Sequence, residues 1–390
     1  MRVTLAVRYF HPKGGAEKFT RNLAQHLVSR GHRVRVICLK SQPMDGVEIV
    51  GLGMPRLVWH PMRAWITGGR IARALRSDAH DVVFAEQKVW GGDVMRPGGG
   101  VEVEYWNEYL AYRYFPRRMP RGTLYLQPKW WFDRLCERRV CLHPGLRRVI
   151  VNSAMIRDEL IRNYPRLAGR ITVIHNGVER RPPAAAHADR QAVLAGAGLA
   201  PDGLTAIFVG QEFLRKGLAH AIAAVARARE RDPAARVQLL VVGQGKVEPF
   251  RKLADSLGVR GAVAFIGGTD RPGVFYAASD VLILSTYYDP FANVTLEALQ
   301  FGLPVITTRR NGGSGVLEAG RTGWIANEPD DVEAMAGWVL ELRDADRRAA
   351  MGRAAAAAAG EHRLEDRLAE VEAVLAAEAE RGAGRGGRPA

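Results

Sequence analysis

Two short apolar runs joined by a helical stretch constrain the fold of this 390-residue chain more than any other feature. Val281 to Leu284 and Pro304 to Thr307 are both short, as is typical of buried parallel strands. Between them, Ser285 to Pro290 is a predicted loop and Val294 to Gln300 a predicted short helix, which Gly302 ends. Parallel strands need a crossover of this kind, so the stretch predicts an α/β fold.

Two acids, Asp289 and Glu297, bracket the predicted start of this helix, which we place near Asn293 or Thr295. A helix N-terminus at the carboxyl end of a parallel strand binds anions, because its first N–H groups have no acceptor within the helix. A phosphate needs those amides, whereas the hydroxyls of a sugar or ribose need carboxylates as acceptors. The D-x7-E spacing therefore indicates a nucleotide-sugar site. The alternative is a loop acid and a helix-surface acid that only complement the helix dipole.

Short β-rich runs alternate with helical patterns along both halves of the chain. This alternation predicts two doubly wound domains with parallel sheets, whose ligands bind beyond the carboxyl ends of the strands. The predicted strands are Val3–Val7, Val34–Leu39, Val47–Gly51, Val82–Phe84, Val149–Val151 and Ile171–Ile174 in the first half, and Thr205–Val209, Gln238–Val242 and Val263–Ile266 in the second. The predicted helices include Glu17–Ser29, Ser153–Asn163, Asp331–Leu342, Ala345–Ala359 and Leu364–Ala379.

The loops that leave the second-half strands carry residues that suit a diphosphate. Gly210 lets the backbone approach a ligand closely, and adjacent Arg215 and Lys216 supply two cations in the stretch GQEFLRKG. Gln244 follows the next predicted strand, and Gly267 follows the one after it. Because the strands are parallel, these loops should open on the same edge of the sheet as the D-x7-E motif.

A glycine turn, Gly14-Gly15, follows the first predicted strand and opens a helix, with His11 and Lys13 just before it. Such a turn allows a phosphate to approach the backbone. It matches neither a Walker loop nor a G-x-G-x-x-G motif, and an ordinary turn would have the same composition.

Residues 98–148 combine aromatic and basic side chains. Six aromatics lie within residues 105–115 and three more occupy residues 130–132, while residues 113–148 hold ten basic residues against two acids. Arginines interleaved with aromatics suit a bilayer interface or the stacking of bases. The alternative is that the aromatics belong to the core and the arginines to a solvated face. We favour membrane contact.

The net charge of +15 resides in the first half of the chain. Residues 1–178 carry 30 Lys+Arg against 14 Asp+Glu, whereas residues 179–390 carry 26 against 27. An anionic partner is therefore indicated for the first half, either a membrane or an acidic acceptor. Nucleic acid is a minor alternative that we do not expect. An arginine-rich composition alone would not leave the second half neutral.

Length and composition predict two domains in a cytoplasmic protein. No apolar run approaches the roughly 20 residues of a membrane span, and the N-terminus reads as a strand rather than a signal peptide. The three cysteines lack metal-ligand spacing and suit reduced thiols. We expect domains at residues 1–178 and 191–363, a linker at 179–190, a helix at 364–380 that packs back on the first domain, and a disordered tail at 381–390.

Several motifs resemble those of the retaining glycosyltransferases of family 4. They are GQEFLRKG (210–217), VVGQG (241–245), VAFIGG (263–268), YYDPFANVTLEALQFGLPVITT (287–308), GRTGWI (320–325) and HNGV (175–178). Within that family the chain is most similar to the lipopolysaccharide core glucosyltransferase I group, including the aromatic, basic stretch. The resemblance implies a GT-B fold, in which two Rossmann-like domains face each other across a cleft and hold the acceptor and the donor respectively.

The resemblance also implies roles for individual residues. Glu297 would bind the donor ribose and Asp289 the hydroxyls of the transferred sugar, with Arg215 and Lys216 on the diphosphate, and these four form the implied catalytic set. The other implied donor contacts, of which Gln244 and residues 265–267 would lie near the base, are Gly14, Gly15, Gly210, Gln244, Phe265, Ile266, Gly267, Phe291, Ala292, Asn293, Val294 and Thr295. The implied acceptor contacts are His11, Lys13, Glu102 and Glu104.

The resemblance implies a hexosyltransferase that uses a nucleoside-diphosphate sugar, and UDP-glucose or a related UDP-sugar is the donor we expect. Its acceptor would be a lipopolysaccharide-core or other cell-envelope glycan or glycolipid, reached from the inner face of the cytoplasmic membrane. Retention by front-face attack is implied by the resemblance alone. We expect no cofactor and no metal, since no D-x-D motif stands at a strand end. The chain departs from the family at Asp289, where Glu is usual, and at Glu102 and Glu104, where many relatives place a His.

Two other functions stay open on the sequence alone. A sugar-nucleotide 2-epimerase on the same scaffold would convert the donor with no acceptor present. A non-catalytic membrane- or RNA-binding module would use the basic first half. Such a module has little need of Arg215, Lys216 and Glu297 at adjacent loop ends, so we rank the transferase first.

Overall fold

The computed structural model describes residues 1–12, 14–54, 59–77, 79–86, 88–113, 121–179 and 189–383. The strands are β1 (Arg2–Ala6), β2 (Tyr9–Phe10), β3 (Arg33–Cys38), β4 (Lys40–Ser41), β5 (Val47–Gly51), β6 (Val82–Glu86), β7 (Val94–Arg96), β8 (Arg148–Val151), β9 (Ile171–Val173), β10 (Thr205–Val209), β11 (Gln238–Val242), β12 (Val263–Gly267), β13 (Val281–Leu284), β14 (Val305–Thr308) and β15 (Gly323–Ala326).

The α-helices are α1 (Gly15–Ser29), α2 (Arg63–Ala74), α3 (Glu102–Arg113), α4 (Pro128–Cys141), α5 (Ala154–Asn163), α6 (Arg190–Gly196), α7 (Leu218–Arg231), α8 (Glu248–Ser256), α9 (Gly273–Ala277), α10 (Asn293–Gln300), α11 (Val332–Glu341), α12 (Ala345–Gly360) and α13 (Leu364–Ala383). Among the described residues, no helix is both long enough and apolar enough to span a bilayer.

Two compact units divide the chain, and each is built around one parallel sheet. The first unit contains the described residues up to 107, residues 121–176 and residues 364–383. Its main sheet has the strand order β5-β3-β1-β6-β7-β8-β9, and β2 pairs with β4 beside it. The strand order reverses between β1 and β6, which in doubly wound folds is where ligands gather.

The C-terminal helix α13 belongs to the first unit. Its residues Leu368, Val371 and Leu375 are buried in the same apolar cluster as Leu5 of β1 and Leu23 of α1. The helix extends three residues into the segment for which the sequence predicts a disordered tail. Residues 384–390, and residues 180–188 of the predicted linker, lie outside the described residues.

The second unit contains the sheet β12-β11-β10-β13-β14-β15, in which all neighbouring strands pair in parallel. Its strands β10, β11 and β13 begin and end where the sequence predicts, since each is buried throughout and apolar except for Thr205 and Gln238 at the starts of β10 and β11. The order reverses between β10 and β13, so the loops that leave these two strands are neighbours. The predicted fold class, two Rossmann-like parallel-sheet domains, is confirmed.

Gly217 determines how closely α7 approaches β13. It precedes α7 with φ +77°, and a Cβ there would lie 1.9 Å from the carbonyl oxygen of Ser285. Any other residue would be strained and would also push the two elements apart. The Ser285 hydroxyl donates to the Gly217 carbonyl at 2.8 Å. This contact places Lys216, one residue earlier, beside the loop that follows β13.

Candidate active site

A buried carboxylate shared by two cations forms the centre of the candidate site. Asp289 Oδ2 accepts from Lys216 Nζ at 2.6 Å and from Arg215 Nη1 at 3.2 Å. Asp289 and Lys216 are buried, and only 14% of the Arg215 side chain is exposed. The structure therefore brings together three of the four residues of the implied catalytic set.

The charges of this cluster support one another. Burial opposes ionisation of Asp289, but Lys216 and Arg215 outweigh it, so the pKa of the carboxyl lies below its ordinary value. Burial also opposes the charge on Arg215, yet Asp289 and Glu212 raise the pKa of its guanidinium. The Asp289 carboxylate thus faces two cations, Lys216 and Arg215, and Glu212 supplies a second negative charge, so the charges of the four side chains balance.

Arg215 is held by more than Asp289. Its Nε and Nη2 donate to the Glu212 carboxylate at 3.0 and 2.7 Å, and its Nη1 donates to the Tyr288 carbonyl at 2.6 Å. Glu212 adopts φ +54°, a conformation that non-glycine residues rarely take. The guanidinium is thus fixed on three sides before any ligand binds.

The N-terminus of α10 lies next to this cluster. Asp289 Oδ1 accepts from the Phe291 N–H at 3.2 Å, and Ala292 is the N-cap residue. The Thr295 N–H donates to the Ala292 carbonyl at 2.9 Å, whereas Val294 contributes a first-turn amide of the kind that suits a phosphate. The helix begins at Asn293, one of the two predicted starting points.

Glu297, the second acid of the motif, lies inside α10 and is half-buried. Its Oε2 accepts from the Tyr276 hydroxyl at 3.0 Å. Tyr276 is buried in turn and stacks on Phe301, with ring centroids 5.3 Å apart. The carboxylate is therefore held in one orientation, as a group that accepts from ribose hydroxyls needs to be.

The residues predicted to meet the base lie at or next to β12, the edge strand of the second-unit sheet. Gln244 is exposed after β11, and Phe265, Ile266 and Gly267 form the half-buried end of the edge strand β12. A cavity of ≈ 650 Å³ opens beside this strand, and Phe265 and Ile266 line it together with residues of α6 and α9. The cavity is large enough for a nucleobase.

The donor and acceptor contacts predicted in the first unit, where the structure describes them, each have their own neighbouring residues. Gly14 adopts φ +98° and caps α1, and the rings of Tyr9 and His11 lie 6.0 Å apart, while Lys13 lies outside the described residues. Glu102 is buried and its carboxylate pairs with Lys88 Nζ at 2.8 Å.

Glu104, two residues after Glu102 in α3, has partners of its own. Its Oε1 accepts from Asn163 Nδ2 at 3.1 Å and from Arg162 Nη1 at 3.3 Å. Both acids that stand where relatives place a His are thus engaged within the first unit. Neither lies in a group of three or more His, Cys, Asp or Glu side chains that could hold a metal ion, and the described part of the chain contains no such group.

Two family descriptions match the chain, one for each unit. Residues 13–181 match Glycosyltransferase Family 4, and residues 189–358 match Glycosyl transferases group 1. Together the two matches span most of the chain. It belongs to the group 1 and family 4 glycosyltransferases. The resemblance identified from the sequence motifs is confirmed.

Curated relatives of this glycosyltransferase match it over part of their length. A D-inositol 3-phosphate glycosyltransferase of Catenulispora acidiphila is 31% identical over 208 residues, which cover 50% of this chain and 48% of that protein. The lipopolysaccharide glucosyltransferase WaaG of Escherichia coli is 36% identical over 127 residues, covering 33% of this chain and 34% of WaaG. The chain thus spans about half or less of the length of these relatives.

Solved structures match this glycosyltransferase over nearly the whole chain. WaaG, described as a glycosyltransferase involved in lipopolysaccharide biosynthesis, superposes with a TM-score of 0.78 at 21% identity, covering 96% of this chain and 99% of that one. HepE from Anabaena in complex with UDP-glucose gives a TM-score of 0.67 at 17% identity, covering 96% and 100%. At these identities the likeness shows the fold.

Sequence reasoning missed the residues that orient the motif side chains of the glycosyltransferase. Tyr276 orients Glu297 from 21 positions upstream. His220 of α7 lies 2.7 Å from the Tyr287 hydroxyl, and both are buried between α7 and the loop that carries Asp289. No spacing rule joins such distant positions, although aromatic residues next to the motif were a usable signal for Tyr287.

The aromatic, basic stretch of the glycosyltransferase divides between core and surface. Trp106 and Trp130 are buried, as the alternative interpretation of the sequence predicts. Leu126 is 82% exposed, Tyr125 60% and Trp131 47%, and the Tyr125 and Trp131 rings lie 5.8 Å apart. Residues 114–120, which hold two of its arginines, lie outside the described residues.

Proposed function

We propose that the chain transfers a hexose from a UDP-sugar, with UDP-glucose as first choice, to a hydroxyl of a lipopolysaccharide-core or other cell-envelope glycan or glycolipid. The observation that carries this proposal is the cluster of Lys216, Arg215 and Asp289 beside the N-terminus of α10. Two fixed cations and helix amides suit a diphosphate, and a carboxylate within the same cluster suits sugar hydroxyls. A nucleoside-diphosphate sugar combines these groups in one molecule.

The parts of the donor map onto successive loops of the second unit. The diphosphate would lie at Lys216 and the α10 amides, the ribose hydroxyls at Glu297, and the base at the end of β12 near Phe265. UDP-glucose as donor is supported by two findings. HepE, which shares the fold, binds UDP-glucose, and WaaG, a sequence relative, is a glucosyltransferase.

The chemistry required of these residues is charge stabilisation. As the bond between the anomeric carbon and the diphosphate oxygen breaks, negative charge grows on the diphosphate, next to Lys216. The acceptor oxygen forms its bond to the anomeric carbon on the same face, and its proton passes to the leaving phosphate. This front-face course retains the anomeric configuration. Because the cations and helix amides supply positive charge, we propose that no metal is needed.

A panel of nucleoside diphosphates and their sugars, tested by thermal shift and by calorimetric titration, examines the donor assignment. A ligand at about 100 times its dissociation constant adds roughly 2.7 kcal/mol to the free energy of unfolding. UDP and UDP-glucose should stabilise the protein most. If no nucleoside diphosphate bound, the proposal would be wrong, and a non-catalytic module would take its place. Conversion of the UDP-sugar to its 2-epimer without acceptor would favour the epimerase.

We also propose that the first unit attaches to the inner face of an anionic cytoplasmic membrane. Leu126, Tyr125 and Trp131 form an exposed apolar patch at the start of α4, and Arg134 and Arg138 are exposed farther along this helix. Apolar residues beside cations suit the boundary between acyl chains and anionic headgroups. Each cation near such a surface contributes about 1 kcal/mol at most, so several together give a reversible attachment.

Vesicle co-sedimentation tests the attachment. Binding should occur on vesicles that contain phosphatidylglycerol, be absent on pure phosphatidylcholine, and weaken at high salt. Leu126→Ser together with Trp131→Ser should reduce binding several-fold. Leu257→Ser is the matched control, because Leu257 is also exposed but lies in the second unit. Equal binding to both kinds of vesicle, or equal effects of both changes, would contradict the assignment.

A further inference from the structure

Asn311, in the loop after β14, is fully buried and uses all four of its side-chain hydrogen-bonding positions. Its Oδ1 accepts from the N–H groups of Ala292 at 3.1 Å and Gly313 at 2.9 Å. Its Nδ2 donates to the hydroxyl oxygens of Thr295 at 3.0 Å and Thr307 at 3.1 Å. An amide has two acceptor and two donor positions, so none is left over.

Two of these bonds fix the N-terminus of α10. Ala292, the N-cap residue, has no side-chain oxygen to satisfy a backbone donor, and Asn311 accepts the Ala292 N–H from a neighbouring loop. Thr295, in the first turn of α10, is bound by the other end of the same amide. Asn311 therefore holds the helix start at two points, where a capping residue would hold it at one.

The backbone around Asn311 also holds Asp289. The Asp289 N–H donates to the Arg310 carbonyl at 2.9 Å, and the Gly312 N–H donates to the Asp289 carbonyl at 2.8 Å. These two bonds form a parallel bridge between Asp289 and Asn311. One residue thus connects the carboxylate of the site with the helix amides of the site.

Thr307 determines which way the Asn311 side chain lies. The Thr307 hydroxyl donates to the Leu284 carbonyl at 2.8 Å, so its oxygen can only accept from the residue opposite. That requirement places the Asn311 NH₂ group toward Thr307 and its carbonyl oxygen toward Ala292. The orientation is fixed by β13 and β14, which belong to the rigid sheet.

We propose that Asn311 is a positioning residue that sets the distance between the Asp289 carboxylate and the α10 amides. At that distance the carboxylate can bind the sugar of a donor while the amides bind the diphosphate of the same molecule. The inference rests on the proposed function. UDP would be held by the amides, the cations, Glu297 and the end of β12, whereas UDP-glucose also needs Asp289 at a fixed distance from the amides. Loss of the Asn311 side chain should therefore lower the affinity for UDP-glucose more than the affinity for UDP.

Calorimetric titration of Asn311→Ala with UDP and with UDP-glucose tests this. We expect the UDP affinity to stay within threefold of wild type and the UDP-glucose affinity to fall at least tenfold. The matched control is Gln238→Ala. Gln238 is likewise buried and binds Ala200 and Thr205, but it opens β11 at the amino edge of the sheet, away from the site. It should lose thermal stability while keeping the affinity of both ligands within threefold.

An unchanged ratio of the two dissociation constants in Asn311→Ala would overturn the proposal, and so would an equal change of that ratio in Gln238→Ala. If Asn311→Ala does not fold, Thr307→Val takes its place, because it removes one hydrogen-bond partner of Asn311 and changes a residue of β14, outside α10 and the Asp289 loop. It should reduce UDP-glucose affinity about threefold with UDP affinity unchanged, and an unchanged ratio there also overturns the proposal. Wild-type protein that bound neither ligand would refute the proposed function itself.

Discussion

Lys216→Met is the substitution whose consequences the geometry of the site defines most fully. Lys216 Nζ lies 2.6 Å from Asp289 Oδ2, and about a tenth of each side chain is exposed. Removing one partner of a buried ion pair leaves an uncompensated charge and costs about 3–5 kcal/mol of folding free energy. Arg215 lies 3.2 Å from the same oxygen and offsets part of the loss. We therefore expect a cost near the lower end, about 3 kcal/mol.

The same change removes a cation from the proposed diphosphate site. Loss of one preorganised group that stabilises transition-state charge lowers turnover about 10²- to 10³-fold. The double variant Lys216→Met/Asp289→Asn separates the two effects. It removes both charges of the pair, and Arg215, which loses Asp289, keeps Glu212 as its counter-ion, so the variant should regain most of the stability. It should regain neither UDP binding nor turnover.

Urea unfolding measures the first effect, and calorimetric titration with UDP and turnover of UDP-glucose measure the second. Lys216→Arg, which keeps the charge, serves as the control and should remain closer to wild type in stability than Lys216→Met. UDP binding at wild-type affinity in Lys216→Met would show that the diphosphate lies elsewhere. A double variant no more stable than Lys216→Met would refute the reasoning about the unpaired carboxylate.

Glu297→Gln should lower the affinity for UDP and for every UDP-sugar by the same factor, because all of them contain the ribose. Calorimetric titrations in which the loss of affinity differed from one sugar to another would contradict this role. Turnover should persist in excess EDTA. A loss of turnover that Mg²⁺ or Mn²⁺ restored would show that a metal ion is required. Burial raises the pKa of Glu137 to about 7 from an ordinary 4.5, so the folded state keeps a proton that the unfolded state releases, and the unfolding free energy should fall by at most about 3 kcal/mol between pH 4.5 and 7. Glu137→Gln should reduce that slope in urea titrations and leave the similar contribution of Glu86, whose pKa burial also raises to about 7; an unchanged slope would rule Glu137 out.

The buried strands of the second unit were predictable because their sequence leaves little choice. β10, β11 and β13 are apolar throughout or nearly so, and glycine or turn residues follow them. A strand covered on both faces by helices must be apolar at every position, so its length can be read from the run itself. The D-x7-E motif was predictable for the same reason, since it follows such a strand.

Elements with weaker patterns were missed. β7 is three residues long and ends in an arginine, and β15 begins with a glycine, so neither has the composition of a strand. α2 contains Gly68 and Gly69, which lower helix propensity. A Cβ on Gly68 would lie 2.6 Å from the Trp90 ring. Close packing, which a local pattern does not encode, explains that glycine.

The candidate site was predictable at the level of its charged residues but not of their partners. Arg215, Lys216 and Asp289 stand in loops that leave adjacent parallel strands, and topology brings such loops together. Asn311 and Tyr276 lie on other elements, and their side chains reach the motif across the sheet and the helix. Their contribution depends on contacts between side chains that are far apart in the sequence, and no sequence spacing predicts such contacts.

The adjacent arginine and lysine divide the work of the site between them. A guanidinium has five donors and an ammonium three. Arg215 directs Nε and Nη2 to Glu212 and Nη1 to the Tyr288 carbonyl and Asp289, so its bonds hold the loop and the carboxylate in place. Lys216 directs one bond to Asp289, and a phosphate oxygen can share its compact charge without breaking that bond. We therefore propose that Arg215 mainly holds the loop and the carboxylate in place and that Lys216 is the cation that contacts the departing diphosphate.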